Sequence, residues 1–229
     1  MTKLGRLFRV GLAVAVVVVL VSAVNSLGGT RDPAAHRHHR HEVSIAPEPA
    51  PPEELPAAGS FVHTRVLDSG VLDVDQWVRT RQPARTVTLQ ADPIFGSGGP
   101  PVATFVRVAA DGQVVKAPGA VGIEPQTVDL GEGARLVHVS YLLSGVVVRA
   151  GPAAEHPVAV MTSLGLDYTP RTGPLHERVS GPVDQLLCWP RAATAAVARP
   201  CGHQQDDDWR VMLTSGQRDT QVAARLAPR

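Results

Sequence analysis

Three textures follow one another along the chain. Val10–Val24 reads VGLAVAVVVVLVSAV without a charge, and the uncharged segment extends through Asn25-Ser26 to Leu27. About 18 residues sit near the lower limit for crossing a bilayer as a helix. Residues 28–59 lose apolar periodicity, and Pro, Ala and Glu take over. Such a stretch buries too little surface to offset its ordering entropy, so a disordered Pro-rich linker is expected. Beyond Gly59 the chain breaks into short apolar runs bounded by Gly, Pro and Asp, the pattern of strands and tight turns.

Several of these runs alternate with the period of a half-buried strand. Phe61–Leu67 and Val71–Arg79 flank Asp68-Ser69-Gly70, a hairpin signal. In Arg85–Ala91, Val87, Leu89 and Ala91 share one face and Thr86, Thr88 and Gln90 the other. Thr104–Ala109 and Gln113–Ala117 are joined by Asp111-Gly112, and Gln126–Leu130 follows. Arg135–Arg149 carries the strongest signal and predicts a long central strand bent at Gly145, or a hairpin through Ser144-Gly145. Val158–Leu166, Leu175–Ser180, Val183–Trp189, Trp209–Thr214 and Gln221–Leu226 complete the series. The expectation is an all-β fold, an antiparallel β-sandwich over residues 60–229.

Charge sets the topology. Residues 1–24 hold Lys3, Arg6, Arg9 and no acid, a net of +3. That leaves 22 − 3 = 19 basic against 21 acidic residues, a net of −2 for the remainder. The positive-inside tendency keeps residues 1–9 cytoplasmic, sends the chain through the lipid bilayer over residues 10–27, and places the C-terminal domain outside. Cleavage near Ala23, after Val21-Ser22, is the alternative, which would release a secreted protein. A near-neutral remainder lacks the basic patch of a nucleic-acid binder. Arginine outnumbers lysine twenty to two, a balance seen in high-GC bacterial proteins.

Chemistry is sparse. Cys188 and Cys201 are the only cysteines, and an even count in an exported chain predicts a disulfide. The Ala-rich stretch between them reads as a short helix set between Pro190 and Pro200. His36, His38, His39 and His41 are the candidate metal ligands, although Arg37 and Arg40 oppose a dication there. The same tract can be read as solvated, or as contacting anionic surfaces when protonated. His176-Glu177 opens like a His-Glu-x-x-His zinc motif, but Ser180 stands where the second histidine belongs. Phe95–Pro100 resembles a nucleophile elbow only superficially and reads as a turn. Asp73, Asp75 and Asp206–Asp208 lack the spacing of a calcium loop. His138 is expected to pack or hydrogen-bond within its strand. No catalytic residue and no cofactor is predicted. The expected function is a membrane-anchored, non-enzymatic binding or envelope-assembly module that contacts an envelope protein or wall polymer. A cryptic envelope hydrolase and a metal- or pH-responsive protein are the alternatives.

Overall fold

The computed structural model describes residues 48–92, 99–148, 158–161, 163–168, 173–190, 198–217 and 220–227. The segment 10–27, Lys3, Arg6, Arg9, the His36–His41 tract, the Phe95–Gly98 turn and the predicted helix at 191–197 lie outside them. Contacts divide the chain into Met1–Ile45 and Ala46–Arg229, and the second unit is described below. No helix among the described residues is long and apolar enough to cross a membrane.

The described unit is all-β and built from two sheets. The strands are β1 (Gly59–Val66), β2 (Leu72–Gln90), β3 (Val102–Ala110), β4 (Gln113–Val115), β5 (Ala120–Val121), β6 (Gln126–Ser144), β7 (Val147–Val148) and β8 (Val158–Met161). They continue as β9 (Gly165–Asp167), β10 (Leu175–Ser180), β11 (Val183–Pro190), β12 (Arg199–Cys201), β13 (His203–Gln205), β14 (Asp208–Leu213) and β15 (Thr220–Leu226). The larger sheet runs β13-β14-β10-β1-β2-β6-β3-β4, with β5 added to β3 and β9 to β2; the smaller runs β12-β11-β15-β8-β7.

Alternation decides which side chains meet between the sheets. Val62 and Val66 of β1, Val74 and Val78 of β2, and Val137, Val139 and Leu143 of β6 face inward. They join Ala159, Leu186, Val222 and Ala224 of the smaller sheet in one core. The expected hairpin at residues 67–71 is present, with β1 and β2 paired antiparallel from Val66↔Leu72 to Gly59↔Arg79. At Asp111-Gly112 both φ angles are positive, 48° and 83°, as a two-residue hairpin turn requires. Asp111 then accepts hydrogen bonds from the Arg135 and Leu136 amides, fixing the turn to β6.

Four expectations are corrected. The sandwich is not purely antiparallel, because β1 and β10 pair in parallel. The runs 71–79 and 85–91 form one strand: the chain shifts register between Arg79 and Thr86 and resumes pairing with β6. An irregularity of this kind takes up extra residues and resets the side-chain period without ending the strand. Gly145 does not bend a strand within one sheet; it ends β6, and β7 joins the other sheet. Its φ is +76°, and a Cβ there would lie 2.6 Å from the Pro100 carbonyl oxygen, so glycine is required at this crossing.

The fourth correction concerns residues 48–59, assigned by composition to the disordered linker. Residues 48–58 form a strap on the outer face of the larger sheet, and Gly59 opens β1. Leu55 is buried with Phe61 and Trp77, Arg79 donates to the Leu55 and Pro56 carbonyls, and Arg210 binds Glu54 at 3.2 Å. The contacts replace what the strap's own sequence lacks, since ordering a proline-rich segment is less costly once φ is already restricted.

Candidate functional site

The two faces of the larger sheet carry different chemistry. On the outer face His138 is held at both ring nitrogens, Nδ1 by Glu48 and Nε2 by Asp75 at 2.9 Å. The imidazole stacks on Trp77 with ring centroids 4.4 Å apart, and Arg107 pairs with Glu48 at 3.1 Å. With both nitrogens engaged, His138 serves as an anchor for the strap, in keeping with its expected packing role. His63, nearby, has its pKa lowered, first by burial and then by the Arg178 guanidinium. Arg178 itself is paired with Asp208, and Asp73 with Arg65 at 2.9 Å. The carboxylates considered for calcium are thus spent on ion pairs or lie in the β13–β14 turn, where Asp206 and Asp207 are exposed. Among the described residues no group of three or more His, Cys, Asp or Glu side chains is placed to hold a metal ion.

Cys188 and Cys201 are joined in a disulfide, as expected. It ties β11 to β12, whose backbones pair at Cys188↔Arg199 and Leu186↔Cys201. The bridge is structural, with Cys188 and Cys201 packed against the main core.

The inner side holds a cavity of about 420 Å³, within the size range of small-molecule sites. It arises from an exchange of strands. β6 covers one edge of β2 along nearly its whole length. The other edge is covered by β1 as far as Arg79 and then by β9 from Thr88. The cavity opens beside this exchange, with β10 and β15 contributing to its walls. Its lining includes Ser60, Gln76, Gln90, Tyr168, Glu177 and Gln221, so most of its surface is polar.

Glu177 is the unusual group in this cavity. Strand alternation puts it inward, between Leu175 and Val179, on a face where its neighbours are apolar. It is 8% exposed, and among the described residues its carboxyl makes no hydrogen bond or ion pair. Burial without a compensating partner disfavours the charged form and pushes its pKa up to about 7. Register places Glu177 opposite Val62 and Ser60 opposite Leu175, so Ser60 stands diagonally from Glu177 across the parallel pair. Ser60 Oγ meets the Tyr168 hydroxyl at 3.3 Å. Deeper in, the Tyr141 hydroxyl donates to Gln76 and accepts from the Leu164 amide at 2.8 Å, and burial raises its pKa. A carboxyl that changes protonation near neutral pH, beside hydroxyls and amides in a half-enclosed space, is equipped to move protons to and from a bound molecule.

In the sequence Glu177 stands only as part of an incomplete His-Glu-x-x-His motif. The overlooked signal was its position: a glutamate on the inward face of an otherwise apolar strand must be paired, neutral or in use.

No protein-family model matches the chain, and no curated protein does. Among solved structures it is similar to a mutant two-domain M1 zinc metallopeptidase bound to L-arginine, at 11% identity and a TM-score of 0.31, covering 73% of this chain and 41% of that one. It is also similar to an M1 zinc metallopeptidase from Deinococcus radiodurans, at 13% identity and a TM-score of 0.29, again over 73% of this chain and 41% of the other. The chain therefore spans about two-fifths of the length of these enzymes. The expectation of a non-enzymatic binding or envelope-assembly module is corrected, since the solved structures to which the chain is similar are enzymes. At such TM-scores the likeness transfers no residue, metal or substrate to this chain.

Proposed function

We propose that the β-domain is a hydrolase whose working site is the polar cavity, with Glu177 as its general acid–base. The observation that supports this is the buried Glu177 carboxyl, without a partner among the described residues, raised to about 7 and facing a polar space large enough for a small molecule or chain end. As a carboxylate, Glu177 takes a proton from a water molecule while the water oxygen attacks the electrophilic centre of the substrate. The same carboxyl then returns that proton to the leaving group, so water is added across the broken bond and Glu177 is regenerated. Ser60, Tyr168 and Gln76 supply hydrogen bonds that orient the substrate and steady charge on the attacked group.

The proposed setting is the extracytoplasmic side of a membrane, with residues 10–27 as the anchor and Lys3, Arg6 and Arg9 on the cytoplasmic side. It rests on the charge asymmetry and the apolar run of the sequence.

The test is turnover by the purified full chain against ester, peptide and glycoside substrates, with Glu177→Gln alongside. One class should be hydrolysed, and the variant should lose about 100-fold or more in rate, the scale of a lost acid–base group. Absence of turnover in every class, or an unchanged rate in the variant, would refute the proposal.

A further inference from the structure

One of the strap's attachments depends on a proton. His138 points outward from β6, and each of its ring nitrogens faces a carboxylate, Nδ1 that of Glu48 from the strap and Nε2 that of Asp75 from β2. A carboxylate oxygen only accepts hydrogen bonds, and a neutral imidazole donates from one nitrogen alone. Both bonds form together only when the ring is an imidazolium. The surrounding charges agree. From β3, Arg107 pairs with Glu48, so the cluster closes at two anions and two cations when His138 is charged. A neutral ring would leave one anion in excess around a side chain only 6% exposed. The Trp77 ring of β2 lies nearly parallel to the imidazole, 16° apart, and an aromatic face favours a cation. On β1, His63 stands in register with Asp75. Its lowered pKa favours the neutral form, so it sets no second cation beside the ring. Asp73 and Asp208 are paired with Arg65 and Arg178, and Arg79 of β2 donates to the strap's carbonyls.

We infer that the strap is a proton-controlled latch, seated while His138 is an imidazolium and loosened at its Glu48 end when the ring gives up that proton. Deprotonation leaves one ring nitrogen as an acceptor facing a carboxylate, with no hydrogen between them. Asp75 belongs to β2, whose backbone is paired on both sides, to β1 and to β6, so it stays in place. Glu48 belongs to the strap, which side-chain contacts hold, so it is the partner that withdraws. The seated strap therefore binds one proton more than the released strap. By linkage its attachment weakens as pH rises through the imidazole range. At strongly acid pH, protonation of Glu48 or Asp75 removes an acceptor and the seat weakens again. The latch is firmest at mildly acid pH, and its release uncovers the Phe61 and Trp77 rings that Leu55 covers.

The test is limited proteolysis of the purified full chain by a glutamate-specific protease, which cuts after Glu53 and Glu54 once the strap lifts. A free peptide of residues 48–58, digested alongside, corrects for the protease's own response to pH. Corrected cleavage is expected to be at least about tenfold faster at pH 8.5 than at pH 5.5, the scale of one charge-assisted hydrogen bond. Glu48→Gln sets an amide that both donates and accepts opposite the ring, at a position on the strap where the sheet does not depend on it. Its two corrected rates should differ by less than about twofold. Glu177 titrates in the same range, so Glu177→Gln is the control, and the native response to pH should persist in it. Nitrogen-15 NMR of the His138 ring should show both nitrogens protonated at pH 5.5. A neutral ring there with the strap protected, or equal corrected cleavage at the two pH values, would overturn the inference. So would an undiminished response in Glu48→Gln. A response lost in Glu177→Gln would assign the release to softening of the whole domain and overturn it as well.

Discussion

Replacing Glu177 by Gln tests the physical state of the cavity without reference to any ligand. In the unfolded chain this carboxyl titrates near 4.5, and in the folded protein near 7, because burial penalises its charge. Between those values the folded state holds a proton that the unfolded state has released. Stability therefore falls as pH rises through this window and levels off above about 7. The difference of roughly 2.5 pH units, at about 1.4 kcal/mol each, makes the loss about 3 kcal/mol from this residue. Glutamine has nearly the same shape and no proton to lose, so Glu177→Gln should match the native protein near pH 4 and exceed it by about 3 kcal/mol near pH 8. Asp92, Asp167, Tyr141 and Tyr168 share the surroundings, but they are present in both proteins and largely cancel in the difference. Urea unfolding of both proteins at pH 4, 5.5, 7 and 8.5 gives the four differences directly. Parallel stability curves, or a variant that loses ground as pH rises, would show that Glu177 is ionised and satisfied in the native state. The acid–base reading would fall with it.

The other expectations concern the scaffold. Replacing Cys188 and Cys201 together by Ser opens a loop of 13 residues' separation and should lower unfolding free energy by about 3 kcal/mol, measured by urea unfolding under non-reducing conditions. Leu55→Ala removes a side chain 5% exposed against Phe61 and Trp77 and should cost about 2–4 kcal/mol of local stability. Limited proteolysis would then cut between residues 48 and 58 while β1–β15 stay protected; protection of the strap in this variant would show that Leu55 does not hold it. Tyr141→Phe deprives the buried Leu164 amide of its acceptor, so about 1–3 kcal/mol should be lost and hydrogen exchange at Leu164 should accelerate.

What the sequence made legible was whatever depends on neighbours in the chain. The alternation of Val137, Val139, Tyr141 and Leu143 foretold β6, and Asp111-Gly112 foretold the β3–β4 hairpin, because both are local patterns. The disulfide followed from a count of two. The parallel pairing of β1 with β10 joins Ser60 to Leu175, and no pattern in either strand names the other. The continuity of β2 was hidden because the register shift between Arg79 and Thr86 resets the period just where a turn is expected. The strap was hidden for a similar reason. Its anchors are 90 residues away for Glu48 and 156 for Glu54, and its own composition reads as a chain that orders nothing. The cavity depends on the change of partner from β1 to β9 along one edge of β2, a product of the whole topology. Only Glu177 left a trace, as a charge on the inward side of β10.

The strap also has a mechanical meaning. A pull arriving along the chain from its N-terminal side reaches Glu48 first, then the seated Leu55, and only afterwards Gly59, where β1 begins. The side-chain attachments would yield one after another, each lengthening the chain by a few residues. β1, in contrast, is zipped by backbone bonds to β2 on one side and β10 on the other, and such paired rows resist shear collectively. The strap would act as a fuse: it gives way under sudden tension, lets the connection pay out, and leaves the sheet behind the cavity unstrained until the slack is gone.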